Sequence, residues 1–249
     1  MQQREQLGVG KAPAKRRQAL FAAPHAGEPV VDESEFHRLP YSGIHRKTEH
    51  RNVIRGLIFD LDGTLVDSGL DFDRIRREMG LVEKQPILEA LAELPEPRRS
   101  ECWAILDRHE LEGAERATLM PGVADLMAAL ERRGLRRAVF TRNGRQATLL
   151  TLRRLNLHFD TVVAREDAPA KPNPAGIWNI CAIWGLPYEQ VAMVGDYLFD
   201  IEAGRRAGVR TVCYAAGRTL ADVEAWGAGF AVECFSRPEE FLAWLEHSG

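Results

Sequence analysis

From Val53 onward, short β-rich apolar runs alternate with helical patterns, and no other feature limits the possible fold as tightly. The runs are "GLIFDL" (56–61), "RAVFTR" (137–142), "TVVAR" (161–165), "VAMVGD" (191–196), "RTVCYA" (210–215) and "FAVE" (230–233). Helical periodicity fills 121–133, 144–156, 173–184, 199–207 and 237–247, with Gly134 and Gly208 as stops. Strands separated by helices predict an α/β fold with a parallel sheet wrapped by helices. Between the first and second strands lies a longer stretch, 70–120, with helical patterns in "FDRIRREMG", "QPILEALAEL" and "RRSECWAILDRHELEG" and no strand candidate. A crossover needs only about a dozen residues, so this stretch reads as an inserted helical subdomain. The expected organisation is a core of 53–69 and 121–249 with a helical cap at 70–120.

With 249 residues, 45% of them hydrophobic, the chain can bury a sizeable core. A formal net charge of −3 argues against nucleic acid or a membrane surface as partner and favours small molecules. Cys102, Cys181, Cys213 and Cys234 form no CxxC or Cys/His cluster, so they read as reduced thiols of a cytoplasmic protein. No apolar run approaches the ~20 residues of a membrane span.

Residues 1–52 lack this periodicity and read as a largely disordered extension. Arg4, Lys11, Lys15, Arg16 and Arg17 leave a targeting arm as an alternative, and translation upstream of the real start is another.

The first strand raises a chemical question. In "RGLIFDLDGTLVDSG" (55–69), a buried-strand pattern ends in Asp60 and Asp62, followed by Gly63 and Thr64, which suit a turn pair. Strand packing asks for no carboxylates there. Ligands of open parallel sheets sit beyond the carboxyl ends of the strands. The other strands deliver Thr141, Arg142 and Asn143, then Lys171 in "APAKPNPAG", then Asp196 and Asp200 in "GDYLFD". Hydroxyl, lysine and carboxylates therefore converge on one edge.

In this order the residues resemble the haloacid dehalogenase superfamily. "DLDGTL" fits the first motif, Thr141 in "VFTRN" the second, Lys171 in "KPNP" the third and "GDYLFD" the fourth, with a helical cap after the first motif as in the phosphoglycolate phosphatase-like group. The resemblance implies a Rossmann-like three-layer core and a Mg²⁺-dependent phosphatase acting on a small phosphorylated metabolite. The chemistry of the residues agrees with such roles. A carboxylate attacks a phosphate ester only if cations neutralise its charge, which Mg²⁺ and Lys171 supply. Asp60, the backbone carbonyl of Asp62, and Asp196 suit a hard cation, with Asp200 in support. Asp60 is the expected nucleophile and Asp62 the acid, then base. Dehalogenating relatives lack the second aspartate, so Asp62 favours phosphoryl transfer.

Thr141 and the backbone N–H groups of Arg142 and Asn143 are expected to bind phosphate, and "KPNP" to present Lys171 from a stiff, extended backbone. Arg142 stands where a smaller residue is frequent, so substrate contact and a salt bridge both remain open for it. "GDYLFD" also suits a plain helix start with acidic residues at its positive end. Arg74, Arg76, Arg77 and His109 of the cap either face an anionic substrate or form a solvated face. Two rival functions stay open, a phosphomutase of the same superfamily and a catalytically silent phosphate-binding regulator. Substrate identity and oligomeric state are not legible.

Overall fold

The structure, a computed structural model, describes residues 53–247 apart from 83 and 216. The extension expected over 1–52 lies outside the described residues. The elements run β1 (Gly56–Phe59), β2 (Val66–Asp67), α1 (Phe72–Met79), α2 (Ile87–Glu93), α3 (Arg98–Arg116), β3 (Thr118–Leu119), α4 (Val123–Arg132), β4 (Arg136–Phe140), α5 (Arg145–Arg154) and β5 (Thr161–Val163). They continue with α6 (Ala175–Trp184), β6 (Val191–Gly195), α7 (Leu198–Ala207), β7 (Arg210–Tyr214), α8 (Leu220–Ala225), β8 (Phe230–Val232) and α9 (Glu239–His247).

Six strands form one sheet in the order β5-β4-β1-β6-β7-β8, and every pairing in it is parallel. The chain moves outward from β1 to β4 and β5 on one side, then returns to lay β6, β7 and β8 on the other. That reversal puts a topological switch point at β1, where open α/β sheets place their ligands.

Both faces of β1 are covered. Leu57 and Phe59 join one apolar layer with Leu126 and Leu130 of α4 and Phe241 and Leu245 of α9. Ile58, on the opposite pleat, packs with Ile177 and Ile180 of α6 and Ala203 of α7. This period-two split explains the unbroken apolar run in the sequence and gives a three-layer α/β/α sandwich.

The stretch between β1 and β4 holds α1, α2 and α3, which keep an apolar cluster of their own: Ile75 and Met79 of α1, Ile87 and Leu91 of α2, Cys102 and Leu106 of α3. Ile75 and Met79 stand one helical turn apart on one face. Fully burying a side chain such as Ile75 contributes about 1.5–3 kcal/mol. Asp71 starts α1 by accepting a hydrogen bond from the Arg74 N–H at 2.8 Å. One detail departs from the sequence reading. Thr118–Leu119, inside the stretch expected to hold no strand, pairs antiparallel with Val66–Asp67. This two-residue ribbon joins the start and finish of the helical insertion to the core.

Cys102, Cys181 and Cys213 are buried free thiols, and Cys234 is half-buried and free. Among the described residues, no helix is long and apolar enough to cross a membrane.

Candidate active site

The three central strands β4, β1 and β6 end side by side, and each delivers a polar residue at its carboxyl end: Thr141, Asp60 and Asp196. The chain leaves β1 through a tight turn in which the Leu61 carbonyl accepts from the N–H groups of Leu65 at 2.9 Å and Val66 at 3.0 Å. Gly63 sits in this turn at φ +80°, and a Cβ there would come within 2.6 Å of Asp196 Oδ2. Glycine is required both by the backbone and by this close approach. Beside it, the fully buried Thr64 donates its hydroxyl to Asp196 Oδ1 at 3.2 Å. Thr64, read from the sequence as half of a turn pair, thus holds a carboxylate of the site.

Asp200 lies in the first turn of α7, where its Oδ2 accepts from the Tyr197 N–H at 3.1 Å. Asp200 thus serves the helix start through one oxygen while the other faces Lys171. Asp200 Oδ1 makes a close ion-pair contact with Lys171 Nζ at 2.6 Å but lies outside hydrogen-bond geometry. Lys171 also donates to Asp60 Oδ1 at 2.5 Å, and its ammonium stands 5.4 Å from the centre of the Phe140 ring. Burial opposes the lysine's charge, yet Asp200 and Asp60 outweigh it and raise its pKa, so the group stays an ammonium. The backbone that presents it is a turn at 171–172 with a cis Lys171–Pro172 peptide, not the extended segment expected from "KPNP".

Oxygens of Asp60, Asp196 and Asp200 lie within 4.8 Å of one another. Burial pushes the Asp196 carboxyl up to about 6, with Asp60 repelling it further, against Arg218, Lys171 and Thr64. Burial pushes Asp200 up to about 7 despite Lys171. Three hard oxygen donors that, among the described residues, share only Lys171 and Arg218 as neighbouring cations fit a divalent cation of the Mg²⁺ type.

Asp62 stands apart from that trio. Its Oδ2 accepts a hydrogen bond from the Asn143 side-chain amide, and its Oδ1 is buried without a hydrogen-bond partner. Burial, with repulsion from Asp60 and Asp196, pushes Asp62 up to about 6 against the pull of Ser68 and Asn143. A carboxyl poised there can hold or release a proton near neutrality.

Thr141 is buried at the tip of β4, and its Oγ1 accepts from the Asn143 N–H at 3.2 Å. Asn143, whose N–H was expected to open toward phosphate, also meets the site through its side chain. The Arg142 side chain makes the salt bridge, one of the two roles left open for it. Its guanidinium bonds Glu89 and the Lys171 carbonyl and lies over Phe199.

A cavity of about 500 Å³ opens above these residues and is roofed by the helical insertion through Phe72, Arg76, Lys84 and Ile87. Of the three arginines of α1, Arg76 lines it, while Arg74 and Arg77 are exposed and stand outside it. His109 is buried and pairs with Glu78 at 2.8 Å. Two contributors escaped the sequence reading. Arg218, past the end of β7, lies 3.4 Å from Asp196 Oδ2. Glu110 of α3 accepts from the Gly144 N–H at 2.8 Å and from Arg165 at 2.7 Å.

The model of the haloacid dehalogenase-like hydrolases matches residues 70–214, more than half of the chain. The chain belongs to the haloacid dehalogenase-like hydrolases. Curated members of this family that it is similar to include a haloacid dehalogenase-like hydrolase domain-containing protein of Arabidopsis thaliana, 31% identical over 66% of this chain and 72% of that protein. The phosphoglycolate phosphatase of Aquifex aeolicus is 32% identical over 64% of this chain and 83% of that enzyme. The N-acetylmuramic acid 6-phosphate phosphatase of Pseudomonas aeruginosa is 28% identical over 80% of this chain and 97% of that one. Among solved structures, a hydrolase from Pseudomonas syringae superposes with a TM-score of 0.65 at 19% identity, covering 76% of this chain and 98% of that one. At that identity the likeness concerns the fold, a parallel α/β sandwich in the haloacid dehalogenase-like manner.

Proposed function

We propose that the protein is a Mg²⁺-dependent phosphatase that hydrolyses a small phosphomonoester through an aspartyl-phosphate on Asp60. The observation that carries this reading is the division between the two aspartates of the β1 tip. Asp60 lies against Lys171 and within the carboxylate trio, whereas Asp62 faces Asn143 with its own raised pKa. One is set up as a charged nucleophile and the other as a proton carrier.

Asp60, Asp196 and the backbone carbonyl of Asp62 would hold Mg²⁺, with Asp200 in support. Bound there, the ion supplies charge neutralisation to the phosphate and to the carboxylates around it. Lys171 adds the second positive charge and orients Asp60. The Thr141 hydroxyl donates to a phosphate oxygen. Asp62, protonated, gives its proton to the leaving oxygen; ionised, it then takes one from the water that attacks the aspartyl-phosphate. Asn143 keeps Asp62 aimed in both steps. The cavity volume suits a metabolite rather than a polymer. The relatives named phosphoglycolate phosphatase and N-acetylmuramic acid 6-phosphate phosphatase support a small phosphorylated substrate.

A panel of phosphorylated metabolites assayed for released phosphate with Mg²⁺ and with chelator tests the reading. Turnover on at least one substrate, lost in chelator, is the expected result; no released phosphate across the panel, or undiminished turnover in chelator, overturns it.

A further inference from the structure

We propose that Glu89 and Arg142 form a latch through which the seated helical insertion sets the position of Lys171, which makes Arg142 a positioning residue and not a phosphate ligand. The inference rests on the phosphatase reading for its kinetic consequence, and on geometry for the latch itself.

Arg142 directly follows Thr141 at the end of β4, in the loop where a phosphate contact was expected. Its Nη2 reaches both carboxylate oxygens of Glu89 in α2, at 3.0 and 2.7 Å. Its Nη1 donates to the backbone carbonyl of Lys171. Its planar face lies 4.7 Å from the centre of the Phe199 ring, near the start of α7. One guanidinium thus joins four segments: the insertion, the β4 end, the lysine loop and α7. Arginine suits this because its rigid fork of donors stays charged at any working pH and its plane stacks on an aromatic ring.

Stability alone does not account for the arrangement. Half of the Glu89 side chain is exposed, at 49%, and exposed ion pairs contribute only about 0–1 kcal/mol. What the pair does is geometric. The Lys171 carbonyl fixes where that residue's side chain begins, and its ammonium must land between Asp60 and Asp200. Displacing a catalytic group by about 1 Å costs on the order of 10²-fold in rate. The same loop is fastened a second time, where Glu110 of α3 accepts from the Gly144 N–H. Residues 142–144 are therefore gripped from α2 and α3 together. An insertion that is not docked leaves the lysine loop without its tie.

The test uses Glu89→Ala, Arg142→Lys and the double variant in the full chain, with p-nitrophenyl phosphate and Mg²⁺. Each single variant should lower kcat by about 10-fold or more while KM stays within about 3-fold, as for a group that acts on the transition state through Lys171. The double variant should be no slower than Arg142→Lys alone, because both substitutions cut the same link. Amide hydrogen exchange across 87–93, measured without metal, should quicken equally in all three. A raised KM with unchanged kcat in Arg142→Lys would show direct substrate contact and overturn the proposal. Multiplying effects in the double variant, or a Glu89→Ala protein with wild-type kcat and exchange, would overturn it as well. If Arg142→Lys does not fold, Glu89→Ala carries the decision by its kcat and exchange. If the wild type releases no phosphate, the phosphatase reading fails, and the exchange measurement still decides the latch.

Discussion

Lys171 Nζ lies 2.5 Å from Asp60 Oδ1, and 111 residues of chain separate the two. The contact exists because β1 ends beside the loop that precedes α6, with the lysine almost fully buried at 1% exposure. Lys171→Met should therefore lower kcat/KM by about 10² to 10³, the loss typical of a preorganised donor. It should also lower the thermal midpoint, since Asp60 and Asp200 then share a buried site without their cation. Steady-state kinetics and a thermal melt check both; a variant with wild-type kcat/KM would remove Lys171 from the reaction.

The sheet and most of its helices were legible because each strand of β1, β4, β5, β6, β7 and β8 is an apolar run bounded by turn residues, while the short α8 (Leu220–Ala225) was missed. The β2–β3 ribbon was not, because two residues carry no periodicity. The candidate site was legible where its residues follow from strand ends: Asp60, Thr141, Asp196 and, through its loop, Lys171. Contributors that act by tertiary approach were not. Arg142 meets Glu89 from 53 positions away, Glu110 reaches Gly144 from 34, and nothing local to either sequence announces the partner. Thr64 looked like a turn residue because only the fold brings Asp196 to its hydroxyl.

Gly195 at the end of β6 should tolerate no side chain. A Cβ there would stand 2.2 Å from Asp200 Cγ, too close for any relaxation short of moving that carboxylate. Gly195→Ala is expected to lose about 1–3 kcal/mol of stability and most of its turnover. Denaturant unfolding and phosphate release measure the two effects; retention of both would mean that Asp200 can shift without consequence.

Without metal, stability should fall as pH rises from 5 to 8. Burial raises Asp62 and Asp196 to about 6, and Asp200 and Glu110 to about 7. Groups whose folded pKa exceeds the unfolded value contribute stability below the unfolded pKa, near 4, and lose it as pH climbs through the folded values. Glu78, Glu89 and Glu96 are shifted down and are already ionised in this window. Mg²⁺ should raise the thermal midpoint more at pH 8 than at pH 5, because it binds the ionised trio. A midpoint that is flat or rising with pH in chelator, or a Mg²⁺ effect independent of pH, would contradict this.

Ca²⁺ should inhibit where Mg²⁺ activates. The larger ion takes more oxygen ligands and can hold Asp60 by both oxygens, away from attack. Equal turnover with either ion would argue against Asp60 as both ligand and nucleophile.

The roles of Asp60 and Asp62 are separated most directly by the intact mass of Asp62→Asn after rapid acid quench. With an aryl phosphate, whose leaving group needs little protonation, Asp60 should still attack. Hydrolysis of the resulting aspartyl-phosphate lacks its base and should slow by about 10² to 10⁴. The variant should therefore accumulate protein carrying one extra phosphoryl group, located on Asp60, while Asp60→Asn carries none and turns over no substrate. A phosphoryl group on any other residue, or an equally slow Asp62→Asn on aryl and alkyl phosphates with no intermediate, would contradict the assignment.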